Sequence, residues 1–148
     1  MKEYIPHIIH YCWFGKTEIP SVGLKCLESW KDKLPSYKII RWDETNFDIN
    51  SCDFTKKAYS EGKYAFVSDY VRLKALYDYG GVYLDIDELV LKDFSALLNE
   101  KELVACFETN NSVMMGLLCA KPGSELIDRF IKVYDFWDRD DYVANPEI

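Results

Sequence analysis

Two aspartates one residue apart, Asp85 and Asp87, are the residues of this chain best equipped for chemistry. They follow the apolar run Val82–Tyr83–Leu84, which reads as a strand. In a strand, alternate side chains share a face. Val82, Leu84 and Ile86 then point one way, and Tyr83, Asp85 and Asp87 the other. Two carboxylates on one face of an apolar strand are costly to bury unless a cation or good donors meet them. Same-face neighbours lie roughly 6.6–6.8 Å apart. One small ion is therefore expected to be held directly by one aspartate, with the other reaching a ligand or a bound water.

A helical stretch precedes this strand, and Gly80 and Gly81 separate the two. A glycine pair suits a left-handed helix end and a tight entry to the strand. Asp69 and Arg72 are three residues apart, so they share one face of that helix. The pair is either an intrahelical ion pair or a donor and an acceptor aimed at a sugar's hydroxyls.

Three chemistries use Asp-x-Asp. A calcium-binding helix–loop–helix needs ligands, a glycine and a glutamate at later positions. Leu89, Val90 and Ala96 occupy them, which excludes it. An aspartyl phosphatase would take Asp85 as nucleophile and Asp87 as general acid, and the run VYLDIDELV fits that outline. Such enzymes usually open with this strand, whereas here it comes midway along the chain. The third is metal-dependent sugar transfer, in which Mg²⁺ or Mn²⁺ held by carboxylates neutralises a departing diphosphate.

The elements that must position these residues alternate. Residues 5–14 read as a first strand ending at Gly15, with Trp13 at the edge where ligands of nucleotide-binding sheets lie, or else in the core. Ser21 reads as a helix N-cap, and Leu27, Trp30 and Leu34 as an apolar stripe. Residues 37–42 form a second strand, followed by a polar loop in which Asp43 either caps a turn or contacts a ribose. A short helix spans 54–61, and the central helix has Ser68 near its start. Strands at 103–107 and 113–120 flank the loop 108–111. Leu126 or Ile127, Phe130, Val133 or Tyr134, and Trp137 mark a last amphipathic helix, before a loop-like tail. His7 and His10 read as strand residues rather than metal ligands, because no partner stands at a ligand spacing. Strands alternating with helices indicate an α/β sheet covered on both faces.

Composition narrows the partners. The 148 residues fit one domain, 49% are apolar and 16% aromatic, and 18 basic residues against 25 acidic give a net charge of −7. Such a chain forms a core and does not attract nucleic acid. Five cysteines without a CxxC spacing argue against a disulfide framework or zinc site and for a reducing compartment. There is neither a transmembrane segment nor a signal-peptide core. The expected location is cytoplasmic, or peripheral at the inner membrane face.

IPHIIHYCWFG and FVSDYVRLKALYDYGGVYLDIDELVLK resemble the DXD-motif glycosyltransferases of the yeast initiating α-mannosyltransferase and bacterial capsule-synthesis type. The glucosyltransferase domains of large clostridial toxins are more distantly similar. The resemblance covers about residues 5–120 and joins Ser68, Asp69, Arg72, the Tyr79–Gly80–Gly81 turn, Tyr83 and both aspartates in one order. It implies a GT-A type fold, a Rossmann-like nucleotide-sugar-binding sheet flanked by helices. It also implies retaining transfer of a hexose from a UDP- or GDP-sugar to a glycan or lipid-linked acceptor in cell-surface polysaccharide synthesis, with Mn²⁺ or Mg²⁺. By position, Trp13 looks like the base-stacking residue, with Tyr11 beside it on the donor. Asp69 and Arg72 look like the pair holding the donor sugar. Asp85 and Asp87 match the motif itself, Asp87 on the metal and Asp85 on the sugar-nucleotide and also the metal. Asn110 and Asn111 are placed on the acceptor side. Members of this type usually continue past this point with a segment that closes over the diphosphate. The domain, residues 1–148, is therefore expected to be C-terminally incomplete, and a non-catalytic nucleotide-sugar binder stands beside the transferase and phosphatase readings.

Overall fold

Three short apolar runs, rich in β-branched and aromatic residues, pair in parallel. The structure, a computed structural model, describes residues 4–135. Strand β1 (Ile8–Cys12) lies between β2 (Lys38–Trp42) and β3 (Gly81–Leu84). Ile9 pairs with Ile39 on one side and Val82 on the other. The last two strands are consecutive: β4 (Leu103–Thr109) and β5 (Ser112–Ala120) form an antiparallel hairpin turning at Asn110 and Asn111. β5 joins β3 antiparallel, giving the order β2-β1-β3-β5-β4.

Helices cover both faces, as the alternation indicates. Helix α1 (Ser21–Lys33) and the short α4 (Ser95–Leu98) pack on one, where Trp30, Leu34 and Leu98 meet Ile9, Val82 and Leu84. Helices α2 (Asp53–Ser60), α3 (Tyr64–Tyr79) and α5 (Glu125–Asp135) pack on the other, where Ala58, Val71, Leu76 and Ile127 meet Cys12, Tyr83 and Leu118. All five cysteines are free, and Cys12, Cys26 and Cys119 are buried.

Several element ends differ from the sequence reading. Ser21 does not cap α1; Pro20 holds the cap position without a side-chain bond, and its carbonyl accepts from Leu24 N–H at 3.1 Å. Ser68 is not near the start of α3, which begins four residues earlier; its hydroxyl bonds back to the Tyr64 carbonyl at 3.2 Å. The core stripe of α5 is Ile127, Ile131 and Tyr134, while Phe130 and Val133 face outward. Trp137 and the tail lie outside the described residues.

The glycine pair has a packing reason. Gly80 has φ 64°, and a Cβ there would lie 2.6 Å from the Pro122 ring. The Gly80 carbonyl accepts from Nε2 of the buried His10 at 2.8 Å, and the Trp42 indole N–H donates to His10 Nδ1 at 3.1 Å. His10 thus ties the end of α3 to the sheet and is no metal ligand.

Candidate active site

The site begins where β3 stops. Leu84, opposite Leu117, is the last paired residue, and Asp85 N–H still donates to the Gly116 carbonyl at 2.8 Å. The chain then turns, and Glu88 N–H closes on the Asp85 carbonyl at 3.0 Å. Aspartate favours such turns over strands. Val82, Leu84 and Ile86 do share one face, packed with the α1 cluster. Asp87, however, is on the turn and not on the strand. The strand spacing expected between the aspartates therefore does not apply. One carboxylate oxygen from each of Asp85, Asp87 and Glu88 lies within 4.8 Å of the other two. Two ligands on opposite sides of a Mg²⁺ ion are about 4.2 Å apart, twice the metal–oxygen distance. The cluster is near a size that one ion can bridge.

β5 shapes the floor. Ala105 opposes Leu118, but Cys106 opposes Met114, which leaves Met115, Gly116 and Leu117 without a partner in β4. The carbonyls of two of these residues serve the site. That of Gly116 holds Asp85, and that of Met115 accepts from Arg72 Nη1 at 2.6 Å.

Arg72 is the centre of the second half of the site. Its residue is only 5% exposed. Nη2 donates to Asp69 Oδ1 at 2.7 Å and lies 3.6 Å from Asp85 Oδ1. The guanidinium sits over the Tyr83 ring, 4.6 Å from its centroid, and the Tyr83 hydroxyl donates to Asp85 Oδ1 at 2.9 Å. Asp69, Arg72, Tyr83 and Asp85 thus form one connected network. The Asp69–Arg72 ion pair exists, and it is also aimed at the motif. Burial raises the Asp69 carboxyl above its usual range, with Asp85 adding to the rise and Arg72 opposing it. Burial likewise raises Glu88, helped by Asp87 and Asp85. For Arg72, burial disfavours the charge, but Tyr83, Asp85 and Asp69 outweigh it and raise the pKa.

β1 neighbours β3 in parallel, so Trp13 and Asp85 leave the sheet at the same edge. Trp13 is half-buried, and its indole N–H donates to the Thr17 carbonyl at 2.8 Å, which fixes the ring in the β1–α1 loop. Tyr11 lies deeper, 7% exposed and edge-on to Trp30 at 5.7 Å. Burial raises its phenol, with Arg41 beside the hydroxyl pulling the other way and Asp43 adding to the rise. Asp43 accepts from Thr45 and pairs with Arg41 at 2.8 Å, so it caps its turn. Asn110 and Asn111 are the hairpin turn.

The family described as glycosyltransferase sugar-binding region containing DXD motif matches residues 20–104, more than half the chain. The chain belongs to this family. The inositol phosphoceramide mannosyltransferase 3 of Schizosaccharomyces pombe is 36% identical over 87 residues, covering 56% of this chain and 24% of that protein. The Subversion of eukaryotic traffic protein A of Legionella pneumophila is 24% identical over 156 aligned positions, covering 82% of this chain and 23% of that protein. The chain thus spans about a quarter of the length of these curated relatives. Among solved structures, the PaToxG glycosyltransferase superposes with a TM-score of 0.78 at 18% identity, over 95% of this chain and 64% of that one. The fold is that of a glycosyltransferase.

In the terms of this family, the DXD motif is the turn Asp85–Ile86–Asp87, and the matched span also holds Asp69, Arg72 and Glu88. The donor set suits the divalent ion usual for DXD glycosyltransferases: three hard oxygen ligands close together. Sequence reasoning missed Glu88 and Gly116. The available signals were a third acidic residue directly after the motif, and a lone glycine inside an apolar strand. A separate cavity of about 740 Å³, lined by Cys52, Phe54 and Tyr70 among others, contains none of these residues. Its wall reaches Asp135, the last described residue, and it carries no functional argument.

Proposed function

We propose that the chain is the donor-binding part of a retaining glycosyltransferase that takes a hexose from a UDP- or GDP-sugar with the help of Mn²⁺ or Mg²⁺. The observation that supports this most is the network Asp69–Arg72–Tyr83–Asp85 running into the DXD turn at the strand edge. In this reading Trp13 stacks on the base, and Tyr11 acts only through its hydroxyl near Arg41. Asp69 accepts hydroxyl protons of the hexose. Arg72, locked by Met115, supplies a fixed positive charge between the two acidic groups. Asp85 contacts the sugar-nucleotide and the ion, and Asp87 the ion. A bound divalent cation would neutralise the charge that develops on the leaving diphosphate.

The acceptor is a glycan or a lipid-linked sugar of the cell surface, met at the side of the hairpin turn. The mannosyltransferase name of one relative is in keeping with a hexose donor. The proposed place of action is the cytoplasm or the inner membrane face; no described helix is long and apolar enough to cross a membrane.

The test is a thermal-shift screen of UDP- and GDP-sugars with Mn²⁺, since a ligand bound to the native state raises apparent stability. It is followed by measurement of nucleotide release. A shift with release supports a transferase, and a shift without release on any acceptor or water supports a binder. No shift with any donor contradicts both. Hydrolysis of an aryl phosphate, lost in Asp85→Asn, would instead favour the phosphatase.

A further inference from the structure

We propose that Glu88 is a third carboxylate ligand of the divalent ion, and that Gly116 is the positioning residue that makes room for it. This rests on the metal-dependent reading above and goes beyond the two motif aspartates. Glu88 is anchored through its backbone alone. Its N–H donates to the Asp85 carbonyl at 3.0 Å, and its own carbonyl accepts from the indole of fully buried Trp30 at 2.7 Å. Two residues on, Val90 N–H donates to the Ser29 hydroxyl at 3.0 Å. The turn is therefore held from α1, and the Glu88 side chain is not needed for it.

That side chain has no other visible employment. Among the described residues no lysine, arginine or histidine pairs with Glu88 or Asp87. Its carboxylate instead lies over β5 beside that of Asp85. A Cβ at Gly116 would stand 2.7 Å from Glu88 Oε1 and 2.9 Å from Asp85 Oδ2. Gly116 has no positive φ, so its backbone does not call for glycine. What the position requires is the missing side chain, because two carboxylates occupy that space. Three like charges held within 4.8 Å of one another repel unless a cation joins them. Mg²⁺ sites of one or two carboxylates usually lean on substrate phosphates. A third carboxylate gives this site an affinity for the ion before any nucleotide arrives.

The experiment is titration of the chain with Mn²⁺ alone, and with Mn²⁺ plus UDP or GDP, followed by the spin-resonance signal of free Mn²⁺. Wild type is expected to bind Mn²⁺ without nucleotide, and Glu88→Gln to weaken this on the order of tenfold, as loss of a charged ligand does. Gly116→Ala is expected to weaken it similarly. In Glu88→Ala the same glycine substitution should add less than it does in wild type, because of the two carboxylates it displaces only that of Asp85 remains. Circular dichroism confirms folding of each variant, and Glu88→Gln carries the test if Gly116→Ala does not fold. Equal Mn²⁺ affinity of wild type and Glu88→Gln, while Asp87→Asn loses the ion, would overturn the inference and leave the metal-dependent reading standing. A wild type that takes no Mn²⁺, with or without UDP or GDP, would overturn both.

Discussion

Arg72 Nη1 donates to the Met115 carbonyl at 2.6 Å, joining α3 to the bulge of β5. The bond fixes a buried guanidinium where its other nitrogen meets Asp69 and faces Asp85. Helix, bulge and DXD turn are thus braced by a single side chain. Arg72→Ala would leave an unsatisfied carbonyl and partly buried carboxylates. Breaking such a buried pair costs on the order of 3–5 kcal/mol, here reduced because Asp69 and Asp85 are each more than a third exposed. Urea unfolding should show a loss of about 2–3 kcal/mol. Arg72→Lys should restore part of the stability but not donor affinity, because lysine lacks the planar fork.

Helix α1 holds a second control on the motif. A Cβ on Gly23 would lie 2.7 Å from Ile19 Cγ2 and 2.8 Å from Ile86 Cγ1. In an open helix, glycine to alanine gains about 1 kcal/mol. Overpacking costs roughly 1–3 kcal/mol, so the clash should win. Gly23→Ala is expected to lower the thermal midpoint and weaken Mn²⁺ binding together, because Ile86 lies between the two aspartates. A stabilised variant with unchanged Mn²⁺ affinity would contradict this.

Stability should also fall on mild acidification, through His10. Its Nε2–H faces a carbonyl and its Nδ1 faces the Trp42 N–H, so the ring is neutral in the fold. Burial lowers its pKa, although the bond to Gly80 pulls it up. Below the ordinary value of about 6.5, the unfolded chain takes up a proton that the folded chain refuses. The contribution is complete above about pH 6.5 and is lost as pH falls through the lower folded value. Urea midpoints at pH 7.5 and near pH 5.5 should differ in wild type by more than in His10→Gln.

Trp13 offers an optical reading of the donor. Its ring is tethered to Thr17 at the strand edge. UDP or GDP should quench tryptophan fluorescence in wild type, and Trp13→Leu should lose most of that change and weaken nucleotide binding on the order of tenfold, as loss of base–aromatic stacking does.

The layered α/β plan was legible because it rests on local pattern: apolar runs, a helix stripe at Trp30 and Leu34, and glycines at the end of α3. The ion pair of Asp69 and Arg72 follows from helical spacing alone. What escaped depends on pairing between distant segments. β5 bulges against β4 at Met115, Gly116 and Leu117, and that bulge has no local sequence signature beyond Gly116. The closeness of Asp85, Asp87 and Glu88 follows from the turn after Leu84, so strand spacing misjudged it. The start of α1 was misjudged because Pro20, not Ser21, holds the cap position, and that of α3 because Tyr64 to Val67 carry no local signal that the helix already includes them.

The most direct measurement is calorimetry of UDP- and GDP-sugars against the chain, with Mn²⁺ and with EDTA, for wild type and Asp87→Ala. At least one donor should bind in Mn²⁺, lose its heat in EDTA, and bind at least about tenfold more weakly to the variant. No binding of any donor by wild type, or equal affinity in Asp87→Ala, would contradict a site in which a carboxylate-held ion receives the nucleotide-sugar.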